Sequence, residues 1–190
     1  MGRAGWGPRV ALGALGIALL SAAPAAAQDQ PPRFRAGFTE WVLAGGFGLS
    51  VDLGPSNPEI QFLSLAPQWA RALSPRVEYV LEAQLHQTFG PSGILVGVLP
   101  VGFRIYTGAS SSRPYLSLGA GVILTDLTEL EEIDRRFNFL LQAGFGVRWP
   151  AGERRSWLLE GRFHHLSNAQ TAGKNLGVNS ALLLVGYGFG

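Results

Sequence analysis

Residues 77–86 read "VEYVLEAQLH", and polar and apolar side chains alternate along this stretch with a period of two. Glu78, Glu82, Gln84 and His86 fall on one face of an extended strand. The apolar residues of the opposite face are Val77, Tyr79, Leu81, Ala83 and Leu85. Because successive side chains of a strand point to opposite faces of its sheet, the stretch predicts a β-strand with one apolar face and one charged face.

Residues 137–149, "FNFLLQAGFGVRW", repeat the pattern, with every odd-numbered position apolar and Asn138, Gln142 and Arg148 on the other face. A soluble barrel that carries a ligand would tend to place apolar residues inside and charges outside. A continuous apolar face opposite a charged one is typical of a strand between lipid and a polar lumen. Both stretches therefore favour a membrane barrel.

The rest of the chain contains further runs of this kind, separated by turn-rich segments. The eight runs span residues 34–51, 61–72, 76–88, 93–107, 113–126, 137–149, 156–167 and 180–189. No segment after residue 27 is long and apolar enough for a transmembrane helix. The sequence predicts an all-β fold, an eight-stranded antiparallel transmembrane β-barrel.

The N-terminal residues have the features of a secretory signal peptide. Arg3 and Arg9 are basic, "VALGALGIALLSAA" is a short apolar run, and Ala25 and Ala27 suit cleavage after residue 27. We therefore expect residues 1–27 to be a signal peptide and residues 28–190 to form one outer-membrane barrel domain.

The composition bears on nucleic-acid binding and on the source of stability. Without Arg3 and Arg9 the basic count falls from 15 to 13, which equals the 13 acidic residues, so nucleic acid is not an expected partner. The chain has no cysteine, so an exported domain of this length needs another source of stability than disulfides. A barrel closed within a bilayer provides one.

The predicted topology orients the links between strands. With both termini in the periplasm, the links after strands one, three, five and seven face outward, and three of these four are longer than the inward ones, as in outer-membrane barrels. Five aromatic residues near strand ends suit interfacial girdles: Trp41, Trp69, Trp149, Trp157 and Tyr187.

The seventh strand carries the candidate site at its outward end. His165 and Ser167 share the parity of Trp157, Leu159 and Phe163, so they face lipid at the outer rim. A histidine beside a serine can accept its proton and make it a nucleophile, although the pair could equally be polar residues in the headgroup zone.

The alternate residues of the seventh strand face the barrel interior. Glu160, Arg162 and His164 have this parity and can pair with charged residues on other strands. His86 also points inward. We interpret these residues as a structural network in the lumen.

The segment "HHLSNAQTAGKNLGVNS", residues 164–180, resembles the lipid A 3-O-deacylase family of Gram-negative outer membranes. The resemblance rests on His-x-Ser-Asn followed by Lys-Asn-x-Gly-x-Asn, together with the signal peptide, length and strand count. It implies an eight-stranded outer-membrane barrel that removes the acyl chain ester-linked at position 3 of lipid A, without a metal or other cofactor.

The resemblance also implies residue roles. Ser167 matches the nucleophile, His165 the general base, and Asn168 and Asn175 the asparagines around the oxyanion. The family carries a carboxylate twelve residues after the serine, where this chain has Asn179.

Two ways of orienting the base therefore follow, of which we favour the first. Asn179 could hold His165 through its side-chain carbonyl, as asparagine does in Cys-His-Asn proteases. Alternatively, an acid from the preceding outward loop could reach the histidine, the candidates being Glu131, Glu132 and Asp134.

Lipid A within lipopolysaccharide is the implied substrate, other outer-membrane lipids are neighbours, and a homodimer is possible. Five apolar residues could line an acyl groove or simply face lipid: Phe139, Phe145, Trp157, Leu159 and Phe163.

The alternative functions are a non-enzymatic outer-membrane barrel and a soluble lipid-binding barrel, the latter disfavoured by residues 77–86 and 137–149. The acidic loop "DLTELEEID" lacks the ligand spacing of a calcium site.

Overall fold

The computed structural model describes residues 34–53, 59–108, 111–130, 132–133, 135–171 and 176–190, so the expected signal peptide lies outside the described residues. Eight strands follow one another: β1 (Thr39–Ser50), β2 (Gln61–Ala72), β3 (Val77–Phe89), β4 (Gly93–Tyr106), β5 (Arg113–Thr125), β6 (Phe137–Pro150), β7 (Arg155–Ser167) and β8 (Val178–Phe189). They form a closed antiparallel barrel, which confirms the predicted fold.

Closure is achieved by pairing the first strand with the last. Trp41 of β1 lies opposite Trp69 of β2 on one side and opposite Phe189 of β8 on the other. No sheet edge is left between these strands, so the ladder satisfies backbone groups that lipid could not. The described residues contain no helix long and apolar enough to cross a membrane.

Side-chain directions follow the period of two read from the sequence. In β3 and β6 the polar side chains of Glu78, Glu82, Asn138 and Arg148 are buried in the lumen, whereas the apolar positions face outward. Phe145, for example, is 67% exposed on the outer surface. This apolar outer surface contradicts the soluble lipid-binding barrel, whose charges would be outside.

Two strand boundaries differ from the prediction by two residues or more. The first strand begins at Thr39 rather than residue 34, because the chain turns at Gly37, whose φ is +90° and whose N–H donates to the carbonyl of Ala72 at 2.8 Å. Phe34 packs instead against Tyr106 at the end of the lumen. The eighth strand begins earlier than residue 180, at Val178.

Arg148 is the centre of a buried polar network in the inward half of the lumen. Its guanidinium pairs with Glu78 at 3.2 Å and with Glu40, and it donates to Tyr106 at 2.9 Å and Ser156 at 3.0 Å. These contacts join β1, β3, β4, β6 and β7 across the lumen. The lumen-facing parity of Arg148 and Glu78 was predicted, whereas their pairing with each other was not.

A second group of ion pairs lies further along the lumen. Arg162 contacts Glu82 at 2.7 Å and Glu160 at 2.6 Å. Glu160 also accepts hydrogen bonds from Tyr115 at 2.9 Å and Ser117 at 2.6 Å. With their hydrogen bonds made inside the barrel, these charges fill the interior and fix the strands to one another.

The outward half of the lumen is apolar, which the strand pattern did not predict. Its buried cluster comprises Ile60, Phe62, Leu99, Ile123, Leu127, Ile133, Leu140, Leu166, Val178 and Leu182. Leu127 and Ile133 come from the link between β5 and β6, so this loop folds inward over the barrel mouth. A cavity of about 40 Å³ remains in this region, lined in part by His86 and His164.

The links agree with the predicted orientation. Residues 51–60, 126–136 and 168–177 connect strands at one end, together with the short link 90–92, whereas 73–76, 107–112 and 151–154 connect them at the other. Outer-membrane barrels place long loops outside and short turns in the periplasm. The paired aromatic residues, such as Trp149 opposite Trp157, lie near the periplasmic end.

Replacing Arg148 by methionine should destabilise the barrel by about 3–5 kcal/mol, because Glu40 and Glu78 would be left buried without their shared cation. Urea unfolding of the refolded protein, followed by tryptophan fluorescence, measures the change. Arg71→Gln, at an exposed position of β2, is the control and should lie within about 0.5 kcal/mol of wild type. An unchanged unfolding midpoint for Arg148→Met would contradict the assigned role of the network.

Candidate active site

His165 and Ser167 lie at the outward end of β7 on the outer surface of the barrel. Both are half-buried. On β6, Leu141 lies opposite His165 and Phe139 opposite Ser167, and both of these neighbours are exposed toward lipid. The histidine and the serine thus stand at the rim of the apolar surface, where a lipid's polar head meets its acyl chains.

Asn179 orients the His165 ring. The two residues are directly opposite each other on β7 and β8, and His165 Nδ1 lies 2.8 Å from Asn179 Oδ1. An amide oxygen only accepts hydrogen bonds, so this contact places the proton on Nδ1. The lone pair is then on Nε2, which is the nitrogen able to act as a base.

Ser167 is two residues beyond His165 on the same face, so their Cα atoms are about 6–7 Å apart. Within the described part of the chain no hydrogen bond joins the two side chains. Such contacts are often long in the absence of substrate and tighten when it binds. The arrangement can therefore support proton transfer from Ser167 Oγ to His165 Nε2.

A strained turn follows the serine directly. Ala169 and Gln170 both have positive φ, +52° and +62°, a conformation that is uncommon for residues other than glycine. Thr171 closes the turn, since its hydroxyl donates to the carbonyl of Asn168 at 2.6 Å and its N–H donates to the same oxygen at 3.1 Å. Strain of this kind is frequent at functional sites.

Asn168 is fully buried and faces inward from this turn. Its Nδ2 donates to the backbone carbonyl of Ile133 at 3.4 Å. The next carbonyl back along the chain, that of Glu132, accepts a hydrogen bond at 3.2 Å from the N–H of Gly177, just before β8. The link between β5 and β6 thus holds both sides of the loop that carries the site.

This contribution of the β5–β6 link does not follow from the alternating strand pattern. The signal is present in its sequence, because Leu127, Leu130 and Ile133 are apolar residues at a spacing of three within an acidic loop. Successive turns join them, with the N–H of Leu130 bonded to Leu127 and that of Ile133 bonded to Leu130. Ile133 is 1% exposed, so its side chain anchors the carbonyl that Asn168 contacts.

Gly177 allows the close approach of β8 to the histidine. Its φ is +72°, and a Cβ atom at this position would lie 3.0 Å from His165 Cε1. A side chain here would therefore meet both backbone strain and the imidazole ring. The glycine of the Lys-Asn-x-Gly-x-Asn segment keeps the space beside His165 clear.

The other candidates have different positions. Asn175, Glu131 and Asp134 lie outside the described residues, and Glu132 contacts the site through its backbone carbonyl. His164 lies in the lumen, with its ring 5.8 Å from that of His86 in an edge-to-face arrangement. Neither of these histidines is on the surface that carries His165.

The described residues contain no group of three or more His, Asp or Glu side chains that could hold a metal ion. Among them, the site at the outer rim consists of a histidine, a serine and amide side chains. Its residues suit nucleophilic acyl transfer, in which a serine is activated by an adjacent base.

The chain is similar to one family of proteins in sequence and to outer-membrane proteins of known structure. The sequence model of the family described as lipid A 3-O-deacylase (PagL) matches residues 45–188. The crystal structure of the outer membrane enzyme PagL is similar, with a TM-score of 0.54 and 19% sequence identity over 77% of this chain and 97% of that one. Neisserial surface protein A (NspA) is also similar, with a TM-score of 0.60 and 16% identity over 81% of this chain and 97% of its own.

At these identities the structural likenesses show a shared outer-membrane barrel fold and nothing more. No curated protein matches the chain in sequence. The family match, by contrast, extends from the middle of β1 almost to the end of β8 and includes the whole site at the rim. The chain therefore belongs to the lipid A 3-O-deacylase family and is a lipid A deacylase of the Gram-negative outer membrane.

Proposed function

We propose that this deacylase is a serine esterase in which Ser167 is the nucleophile, His165 the general base and Asn179 the residue that orients the base. The observation that carries the proposal is the 2.8 Å contact between His165 Nδ1 and Asn179 Oδ1, beside Ser167 on the lipid-facing surface. It fixes the tautomer in which Nε2 can accept a proton. A merely polar rim would not require a histidine held in this way.

The reaction proceeds in two halves. His165 Nε2 takes the proton of Ser167 Oγ as the oxygen attacks the ester carbonyl of the 3-O-linked acyl chain. The tetrahedral oxyanion collapses, the bond from the carbonyl carbon to the sugar oxygen breaks, and the histidine gives the proton to the departing sugar oxygen, which becomes a hydroxyl. Water then attacks the acyl-enzyme with His165 again as base, and the free fatty acid leaves Ser167.

Asn168 and Asn175 are the proposed donors to the oxyanion. Asn168 follows Ser167 directly in the chain, and its side-chain amide nitrogen is a suitable hydrogen-bond donor. Loss of one such donor typically lowers the rate by about 10²–10³. Because the Asn168 side chain is buried and bonded to Ile133 in this structure, we propose that it turns toward the ester when substrate binds.

The position of the site on the outside of the barrel suits a membrane lipid. The substrate's ester lies where its sugar head meets the acyl chains, which is the level of Ser167 in the outer leaflet. Apolar side chains continue below the site on β6 and β7, including Phe145, Leu159 and Phe163. We propose that they contact the acyl chains while the ester is held at Ser167.

Asn179 stands where the family carries a carboxylate, twelve residues after the serine, and this replacement should reduce the rate of deacylation. An amide oxygen orients the imidazole but stabilises the imidazolium formed during the reaction less than a carboxylate does, because hydrogen bonds to an ionised acceptor are about twice as strong. We prefer Asn179 to a loop acid as the orienting residue, since the contact with His165 is formed between neighbouring strands.

Ser167→Ala should abolish deacylation while leaving the barrel folded. Lipid A isolated from outer membranes carrying the wild-type protein should lack one 3-hydroxyacyl mass, and lipid A from membranes carrying the variant should retain it. Ser180→Ala, which removes a lumen-facing hydroxyl from β8, is the matched control and should behave as wild type. Full deacylation by Ser167→Ala would rule out this serine as the nucleophile.

Asn179→Asp should increase kcat by several-fold to about tenfold, because a charge-assisted hydrogen bond would replace a neutral one without changing the side-chain shape. Asn179→Leu, which is similar in size but has no acceptor, should lower kcat by at least a comparable factor. Steady-state hydrolysis of purified lipid A in detergent micelles measures both. If Asn179→Leu were as active as wild type, another residue would have to orient His165.

A further inference from the structure

The outward rim of the barrel has an uneven charge distribution. Among the described residues of the outward links, the basic side chains are Arg135 and Arg136, which precede β6 directly. The acidic residues in the same set are Asp52, Glu59, Asp126, Glu129 and Glu132. The positive charge in this part of the rim is therefore concentrated at the start of the strand that pairs with β7.

Arg135 is connected to the candidate site through hydrogen bonds. Its Nη1 donates to Thr171 Oγ1 at 2.9 Å, and Thr171 Oγ1 donates in turn to the carbonyl of Asn168 at 2.6 Å. Asn168 follows Ser167 in the chain. The guanidinium is thus held over the turn that begins at the proposed nucleophile, and it is exposed at the surface.

The level of Arg135 relative to the membrane follows from the strand register. Phe139 lies opposite Ser167, and Arg135 is four residues further outward on the same chain, a distance of at most about 14 Å along the strand. Because strands of these barrels are tilted by about 35–45°, Arg135 is no more than about 11 Å above the serine. Ser167 is at the edge of the apolar surface, so Arg135 is at the level of the lipid head groups.

We propose that Arg135, assisted by the adjacent Arg136, binds a phosphate group on the sugar head of lipid A and thereby places the 3-O ester at Ser167. This inference rests on the proposed function and specifies how the site recognises its substrate. A guanidinium matches phosphate well because it presents several N–H donors in one plane and keeps its charge.

Charge complementarity favours phosphate as the ligand. The head group of lipid A combines sugar hydroxyls with phosphate, and only the phosphate carries charge that an arginine pair would attract. A pure positioning role predicts a different behaviour, in which Arg135 acts only by holding Thr171 and the turn after Ser167. The two roles differ in how they depend on the substrate's phosphate.

The test compares Arg135→Gln with wild type on two substrates in detergent micelles, phosphorylated lipid A and the same lipid A after enzymatic dephosphorylation. Arg135→Gln should raise KM for the phosphorylated substrate by about tenfold or more, with a smaller change in kcat. On the dephosphorylated substrate the variant and wild type should have similar KM values. Arg135→Lys, which keeps the charge, should recover part of the loss.

Two further variants separate the phosphate contact from other effects. Thr171→Val removes the acceptor of the Arg135 bond, so it should slow both substrates by the same factor and preserve the preference for phosphate. Arg71→Gln removes an exposed charge at the opposite end of the barrel and should leave both KM values unchanged, which controls for general attraction to anionic micelles.

The measurements distinguish a failure of the phosphate proposal from a failure of the proposed function. If wild type cleaves both substrates and Arg135→Gln slows them equally, Arg135 is a positioning residue and the phosphate proposal is wrong. If Arg71→Gln raises KM for phosphorylated lipid A as much as Arg135→Gln does, the effect is bulk charge and the proposal is again wrong. If wild type cleaves neither substrate, the proposed function fails, and this inference fails with it.

Discussion

The absence of water in the hydrocarbon core is the constraint on which this structure depends. Every backbone N–H and C=O within the membrane must find its partner in the chain, which requires that β8 return to pair with β1. Because side chains alternate along each strand of the closed barrel, one set faces the lumen and the other set faces lipid. The same constraint directs Arg162 into the lumen and its near neighbour His165 toward lipid, so it determines where chemistry on the substrate can occur.

The lumen supports the outer site without taking part in its chemistry. Ion pairs around Arg148 and Arg162 join strands across the inward half, whereas the outward half is closed by apolar residues from a loop. Ile133 connects this interior to the surface, because its side chain is buried in the apolar cluster while its carbonyl contacts Asn168. A closely bonded interior therefore supports the proposed catalytic surface at the rim, where the lipid itself is fluid.

The sequence predicted the strands and the side-chain directions well, because both depend on the local alternation of polar and apolar residues, which is clear in "VEYVLEAQLH". It also identified the residues of the His-x-Ser-Asn segment through their resemblance to a family. It could not predict that Asn179 lies on β8 in register with His165, or that the link between β5 and β6 folds inward. Both depend on contacts between segments distant in the chain, and the residues at the start of β8 and in that loop lack a clear alternating pattern.

The proposed reaction requires that an acyl-enzyme form on Ser167, a serine of the barrel's outer surface. Treating the folded protein with a fluorophosphonate that carries a long alkyl chain, followed by mass spectrometry of its peptides, tests this directly. A single adduct on Ser167, together with loss of deacylation and no adduct in His165→Ala, is the predicted result. An adduct on a different serine, or active wild-type enzyme that resists the reagent and shows no adduct, would contradict the account.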